Sequence, residues 1–515
     1  MRHLAHGATL ALLLSVLALG VRSGPALAAG NCVNTGGTGG CFSTIAAAIA
    51  AAQSGDTISV AAGTYKETGL TITKAIDLEG AGAGKTILDA TGKGNGITIE
   101  GVTSGKTTIG GFTVENAGLA GIQADASTNV TIQNNTLTGN DASLVFDPAN
   151  PGATTCPDSP NPFLTDDCGE AINLQGTSYS TVANNHVEGN AGGILLDDES
   201  AATHDNTISS NQVVNNMLDC GITLASHFSG IKNGKPAPGF GVYNNMITGN
   251  TVSGNGAAGV GIFAAIPGDA AYNNTVSGNT ITDNNLPGVT LHSHAPGQNI
   301  DGNTIIGNTI SGNGKFGDSD AGDTATTGIL ILGTVVPVQK IVIMGNTISG
   351  ETVGIWLTGV MNPVISGNAN TAGTRLLQLA QSSVPAPGAG PVTLPNGGAL
   401  AGSVVEAMPD VVVRGGGATA SFAVTFASAS KGVGAVYFAP GTACTGLVEV
   451  GANDTGAGTT SHSVVVTGND MPGSVGDNGL VPGMTYSFEV VTSSSAGTTV
   501  DNNGGACYQV TLPMP

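Results

Sequence analysis

Positive charge is scarce in this sequence. Fourteen Lys and Arg stand against 35 Asp and Glu in 515 residues, a formal net charge of −21. So few cations argue against a nucleic-acid partner, whose phosphates need Lys and Arg to replace released counterions. Aromatics make up 4% and charged residues 10% of the chain. There is no Cys-x-x-Cys spacing, which counts against a zinc ribbon or thioredoxin chemistry. Beyond the first twenty residues no apolar run is long enough for a bilayer, so no membrane insertion is expected. Glycine is abundant, at 81 residues, but without the three-residue period of collagen. Hydrophobic residues at 40% and a mean hydropathy of +0.19 are those of a chain that buries a core, not of a disordered one.

The N-terminus opens with Arg2, continues through the apolar run Thr9 to Leu19 and reaches Ala26-Leu27-Ala28 before Ala29. That three-part pattern predicts a signal peptide over 1–28 and a secreted chain, extracellular or periplasmic. Cysteine usage fits an oxidising compartment. Cys32 and Cys41, Cys156 and Cys168, and Cys444 and Cys507 form three local pairs, which leaves Cys220 as a buried free thiol.

The middle of the chain repeats itself. Gly-Asn-Thr-Ile/Val recurs at Gly249–Val252, Gly278–Ile281, Gly307–Ile310 and Gly345–Ile348, with looser copies at Asn134–Leu137, Asn184–Val187 and Ser210–Val213. A second phrase, Gly-Ile/Val-x-Leu/Ile, follows at Gly193–Leu196, Gly221–Leu224, Gly259–Ile262, Gly288–Leu291, Gly328–Ile331 and Gly354–Leu357. Repeats of this length mean a solenoid. Each phrase is too short for a helix and alternates apolar with polar, as a strand does. Two or three short strands per turn with Asn/Gly corners predict an all-β chain built on a parallel β-helix, in which stacked Asn amides satisfy one another.

Ahead of the repeats, residues 45–52 read as a short helix that caps the first coil. It runs into Gly55-Asp56-Thr57-Ile58-Ser59-Val60 and Gly63-Thr64-Tyr65-Lys66-Glu67. This opening resembles the start of the pectate-lyase-like, right-handed parallel β-helix superfamily, and the resemblance extends from about Thr44 to Asn370. It is similar to secreted β-helix repeat proteins, to pectinesterases and to periplasmic proteins that mature the copper of nitrous oxide reductase. The resemblance implies the fold and leaves the activity open.

The expected division is a β-helix over 29–375, a Pro/Gly/Ala linker over 376–400 and a small antiparallel β-sandwich over 401–515. Strands are expected at Ala418–Phe426, Val433–Phe438, Ser461–Thr467, Thr485–Thr492 and Cys507–Leu512. The phrase from Leu480 to Val490, with its Tyr486-Ser487-Phe488-Glu489-Val490, resembles the tyrosine-corner strand of a fibronectin type III-like sandwich, which implies that the Tyr486 hydroxyl ties back to the preceding turn.

Aligning coils on the Gly-Ile-x-Leu phrase places Asp197, Ala225, Phe263, His292, Leu332 and Thr358 in one column. Two positions on stand Glu199, His227, Ala265, His294, Thr334 and Val360. Both columns are expected to face outward, giving a strip of acids and histidines flanked by the insertions 141–168, 228–241 and 314–326. One reading is a polysaccharide site with Glu199, His227 and Asp197 as catalytic groups, and with His292, His294, Lys232 and Lys235 contacting substrate. A second is a calcium site at Asp197, Asp198 and Glu199, with the Asp318-x-Asp320-x-x-Asp323 run as a looser candidate. The third is a solvated acidic corner.

The enzymes of the resembled superfamily set limits. Polygalacturonases carry an Asp-Asp pair before a strand and a Gly-His-Gly in the next coil, whereas Asp197-Asp198 follows its strand here and His227 sits in Ser226-His227-Phe228. Pectate and alginate lyases need cations to neutralise a uronate. Beyond the signal region the arginines are Arg375 and Arg414, outside the main coils, so an anionic glycan requires bound calcium. The sequence therefore predicts a monomeric exported β-helix that engages polysaccharide, as a hydrolase or lyase. The alternatives are a non-catalytic surface or adhesion scaffold and, third, a periplasmic metal-handling protein.

Overall fold

The computed structural model describes residues 31–146, 154–155, 169–227, 231–232, 235–236, 240–293, 295, 297–318, 326–333, 336, 338–361, 363–370, 375–380, 392–393, 399–400, 410–414, 421–450, 454–456, 458–467, 480–481, 483–494, 497–501 and 507–512. The expected signal peptide, Cys156, Cys168 and His294 lie outside them, as do Asp320 and Asp323. No helix among the described residues is long and apolar enough to cross a membrane.

Among the described residues the chain winds over three long parallel sheets of 12, 11 and 11 strands. We call them faces A, B and C in the order in which each coil visits them. One coil runs through Asp77–Gly80 on A, Thr86–Asp89 on B and Ile97–Glu100 on C. Alternate residues point inward and form continuous apolar columns, such as Ile194, Ile222, Val260, Val289, Ile329 and Ile355 on C. The last strand of face C, Arg375–Ala380, pairs with Val353–Thr358.

The corners explain the repeated phrase. In Gly-Asn-Thr the first residue takes the left-handed conformation, with φ of 65° at Gly249 and 62° at Gly278, where glycine carries no Cβ penalty. The looser copies put Asn134, Asn184 and Ser210 in the same conformation at φ 56°. The Asn that follows turns inward. Between faces A and B, Asn135, Asn185, Asn211, Asn250, Asn279, Asn308, Asn346 and Asn368 form an unbroken amide ladder, each Nδ2 donating to the next Oδ1 at 2.8–3.1 Å. Each ladder Asn after the first also donates to a carbonyl of the preceding coil, as Asn279 Nδ2 does to Ile247 O at 2.9 Å. A second ladder, Asn140 to Asn313, lines the corner from B to C, and a shorter one, Asn206 to Asn274, the corner from C to A. The coils from Asn135 to Asn368 thus share one register, because a slipped coil leaves buried amides unpaired.

The first coil is closed by the helix Ile45–Ala51, whose Ile45, Ala48 and Ile49 are buried against it. Thr44 caps it by accepting from Ala47 N, and the Glu67 carboxylate accepts from Ile45 N and Ala46 N. At the other end Lys74 Nζ donates to Ala50 O and Ala52 O. Anion at the N-terminus and cation at the C-terminus both oppose the helix dipole. The disulfide Cys32–Cys41 pins the strand that precedes the helix, and Cys444–Cys507 is also formed, while Cys220 is a buried free thiol.

The far end is closed by a seven-stranded antiparallel sheet. Two of the expected strands are one, Ser421–Pro440, and a register shift between Ala427 and Gly432 lets its halves take different partners. Its first half pairs with Asp410–Arg414 and Thr459–Val466, its second with Val448–Val450 and Thr485–Ser494. Alternation along it is decisive. Val436 and Phe438 join the sheet's own core, whereas Ala435, Tyr437 and Ala439 belong to the buried cluster that fills the coil. The C-terminal sheet therefore docks on the solenoid with one of its surfaces. Tyr486 Oη accepts from Val481 N at 2.9 Å, the tie implied by the tyrosine-corner phrase.

The ladder between B and C ends on a carboxyl in place of an amide. Glu351 Oε1 accepts from Asn313 N and Nδ2, both at 3.2 Å. Burial pushes the Glu351 carboxyl up to about 7, against the lowering effect of those hydrogen bonds. A carboxyl that holds its proton more tightly when folded stabilises the fold most at low pH. That stability falls as pH rises from the ordinary glutamate range through about 7, by at most roughly 3 kcal/mol. Glu351→Gln keeps the acceptor and removes the ionisation. Denaturant melts at pH 5 and pH 8 should show a smaller pH-dependent loss for Glu351→Gln than for the parent chain.

Candidate functional site

The columns aligned on the Gly-Ile-x-Leu phrase are the true columns. Asp197, Ala225, Phe263, His292, Leu332 and Thr358 pair in register along face C. Their surroundings differ from expectation. The strip was expected to face solvent, but Asp197 is 1% exposed, Asp198 is fully buried and His292 is 5% exposed. Asp197 and His292 have the outward parity of the strand, opposite to Ile194, Leu196 and Leu291, yet both are buried. Asp318, from the insertion before Thr327–Leu332, lies with its Oδ2 2.9 Å from His292 Nε2, which is also 2.8 Å from Thr290 Oγ1. His292 is thus buried against Asp318 and is not an open subsite.

The acidic cluster is turned into the corner. Asp198 accepts from Ser226 Oγ at 2.8 Å, His227 N at 3.0 Å and Gly241 N at 2.8 Å. Asp197 Oδ1 accepts from Glu199 N at 3.0 Å. The Asp198 oxygens and Asp197 Oδ1, so engaged with protein donors, knit the turn after the strand. Glu199 and His227 are half-buried in adjacent coils. Lys232 and Lys235 are backbone register partners in the antiparallel pair Ile231–Lys232 and Lys235–Pro236. Among the described residues, Cys444, Glu489 and Cys507 could group around a metal, but the two cysteines are joined in a disulfide.

Upstream, the same column continues in the open. Glu100, Asp125 and Gln175 pair in register with one another and lead into Asp197. Beside them run Thr98, Gln123 and Asn173. Glu100 is exposed and the other five are half-buried. An amide row crosses the surface: Asn95 Nδ2 donates to Gln123 Oε1 at 2.6 Å, and Gln123 Nε2 to Gln175 Oε1 at 2.8 Å. These residues escape a reading that begins the columns at Gly193, yet their signal is present. Gly96-Ile97-Thr98-Ile99-Glu100, Gly121-Ile122-Gln123-Ala124-Asp125 and Ala171-Ile172-Asn173-Leu174-Gln175 are versions of the same phrase.

At the corner that follows face C, one aromatic per coil stacks on the next. Tyr179 meets His204 edge-on at 5.4 Å between ring centroids, His204 stacks on Tyr243 at 4.9 Å and Tyr243 on Tyr272 at 5.0 Å. His204, Tyr243 and Tyr272 each stand two residues before a ladder Asn, a pattern readable in the sequence. Burial pushes the Tyr243 and Tyr272 phenols up.

A relay also lies in the C-terminal sheet. Ser428 Oγ is 2.9 Å from His462 Nε2, and His462 Nδ1 is 3.0 Å from Asp454 Oδ2. Asp454 further accepts from Gly434 N and Gly456 N, and its carboxyl is held below the usual range by the His462 and backbone hydrogen bonds, against the opposing effect of burial. The geometry is that of an acyl-transfer triad, but Ser428 and His462 are each 1% exposed, so no substrate carbonyl reaches the hydroxyl. The relay pins the curled strand to its neighbours. His462→Ala should lower the stability of the C-terminal sheet by about 2–4 kcal/mol in urea melts, because it leaves a buried carboxylate without its partner.

The family described as right handed beta helix region matches residues 82–235 and 239–330. No curated protein matches the sequence. Among solved structures, the chain is similar to the A-module of mannuronan C-5 epimerase AlgE4 from Azotobacter vinelandii, at 18% identity over 64% of this chain and 89% of that one, with a TM-score of 0.40. An alginate lyase from Paenibacillus sp. aligns at 16% identity over 61% of this chain and 95% of its own, with a TM-score of 0.39. PfbA, a surface adhesin of Streptococcus pneumoniae, aligns at 16% identity over 66% and 89%, with a TM-score of 0.38. Likeness at this level says nothing of chemistry. With three parallel sheets in one register and the match to the right handed beta helix region across its coils, the fold of this solenoid is a right-handed parallel β-helix.

Proposed function

We propose that this protein is exported, acts as a monomer and engages polysaccharide along the open stretch of face C, from Ile97–Glu100 to Glu170–Gln175. The observation that carries this reading is the register of Glu100, Asp125 and Gln175, one above another beside the Asn95–Gln123–Gln175 amide row. Carboxylates and amides in a row at a coil step of ~4.8 Å offer a repeating set of hydrogen-bond partners to a repeating chain of hydroxyls. Two formed disulfides and the leader pattern of residues 1–28 support export.

Hydrolysis is the chemistry these residues allow. Glu100 and Asp125 are register partners on adjacent coils, a placement that offers the pair of carboxyls glycoside hydrolysis uses. Glu199 and His227 follow the face C strands of the next two coils, beyond Asp197.

The mature protein should be retained on at least one member of a polysaccharide panel and release reducing ends from it. Asp125→Asn should lower that release by about 10²–10⁴-fold, as loss of a catalytic carboxylate does. Thr280→Ala, an exposed change on face B, should leave it unaltered. Retention on no polysaccharide, by a protein shown to be folded, would contradict the reading.

A further inference from the structure

We propose that the later coils of face B form an ice-binding surface, separate from the open stretch of face C. Four consecutive coils carry the same kind of outward pair there. Thr251, Thr280, Thr309 and Thr347 stand in register and exposed, and a second column, Ser253, Thr282, Ser311 and Ser349, runs beside them half-buried. The residues between, such as Val252 and Ile281, fill the core. The hydroxyls form a lattice in two directions, at steps of about 4.8 Å from coil to coil and about 6.6 Å along each strand. Within it Thr282 Oγ1 donates to Ser253 Oγ at 3.0 Å.

Threonine favours strands in general, so face A of the same coils serves as the comparison. Its outward pairs are Met246 and Thr248, Thr275 and Ser277, Thr304 and Ile306, and Val342 and Met344. These coils break on A the regularity they keep on B, and strand preference does not account for that difference.

The margins of the lattice are the second feature. Glycine precedes the ladder Asn in all four coils and follows the second hydroxyl in three of them, so the edges are nearly bare. The exception, Asp283, lays its Oδ1 over Gly312, 2.9 Å from where a Cβ would stand. Amide ladders run down both margins, Asn250 to Asn346 on one and Asn255 to Asn313 on the other, and hold the spacing.

What the surface fits follows from its chemistry. None of the outward side chains in the two columns is charged or aromatic, so it offers no counter-charge to an ion and no ring face to a sugar. It offers hydroxyls and γ-methyls at fixed steps, which hold water at fixed steps. A prism face of hexagonal ice repeats its oxygens along two perpendicular directions at steps close to these. Water held on the lattice can therefore join the crystal, whereas a flexible chain has no two-dimensional repeat to match.

The test is slow growth of ice on a cold finger from a dilute solution of the full mature protein mixed with serum albumin, with nanolitre osmometry of the same samples. The protein should be taken up into the ice while albumin is rejected into the liquid, and it should open a gap between the melting and growth temperatures. Thr280→Lys with Thr309→Lys puts two long cations in the middle of the lattice and should reduce uptake and gap to the albumin level. The charge-matched control is Thr57→Lys with Thr71→Lys, exposed threonines outside the lattice, which should keep both. Circular dichroism melts establish that each variant is folded. Thr309→Leu, uncharged and compatible with a strand, should also lower uptake and decides the matter if the lattice double variant does not fold. Rejection of the parent protein from ice would overturn the inference, as would equal loss in the two double variants or unchanged uptake in a folded lattice variant.

Discussion

The amide ladders fix everything else in this molecule. Each interior Asn accepts from the coil before it, donates to the coil after it and holds a carbonyl of its own neighbourhood, so no coil can slip by a residue without stranding buried polar groups. The left-handed residue ahead of each ladder Asn at the A-to-B corner turns the chain, and the residue after it, Thr in five of the eight coils, starts the next strand. Side-chain columns on all three faces follow from that common register. The surface chemistry of face C is therefore a consequence of its corners.

That dependence also explains what could be read from the sequence. The Gly-Asn-Thr and Gly-Ile-x-Leu phrases carry their structural meaning residue by residue, and the columns drawn from them match the observed pairing from Ile194 to Ile355. The capping helix, the disulfides Cys32–Cys41 and Cys444–Cys507, the free Cys220 and the Tyr486 tie were equally local, and each was legible. Exposure was not. Whether Asp197 and His292 meet water depends on where an insertion such as the one carrying Asp318 folds back, and that is a matter of tertiary packing with no period to reveal it. The upstream acids were hidden for another reason: Ala171 stands where the other coils have Gly, and the long insertion before it breaks the spacing.

The two ends show the same economy of principle. An open coil exposes unpaired strand edges and apolar interior, and each end here meets a different cover. Ile45, Ala48 and Ile49 close one with a helix held by Glu67 and Lys74. Ala435, Tyr437 and Ala439 close the other with a sheet whose opposite surface has its own core, and the sealed Ser428–His462–Asp454 relay belongs to the strand pairing there.

The central claim is that one shared register builds a polysaccharide surface on the open part of face C. Hydrogen exchange with and without a bound oligosaccharide tests it most directly, because every strand is reported at once. The account predicts protection confined to Ile97–Glu100, Ile122–Asp125 and Glu170–Gln175, with Thr251–Ser253 and Thr280–Thr282 on face B unchanged. Protection centred on face B, or on the C-terminal sheet, would contradict it.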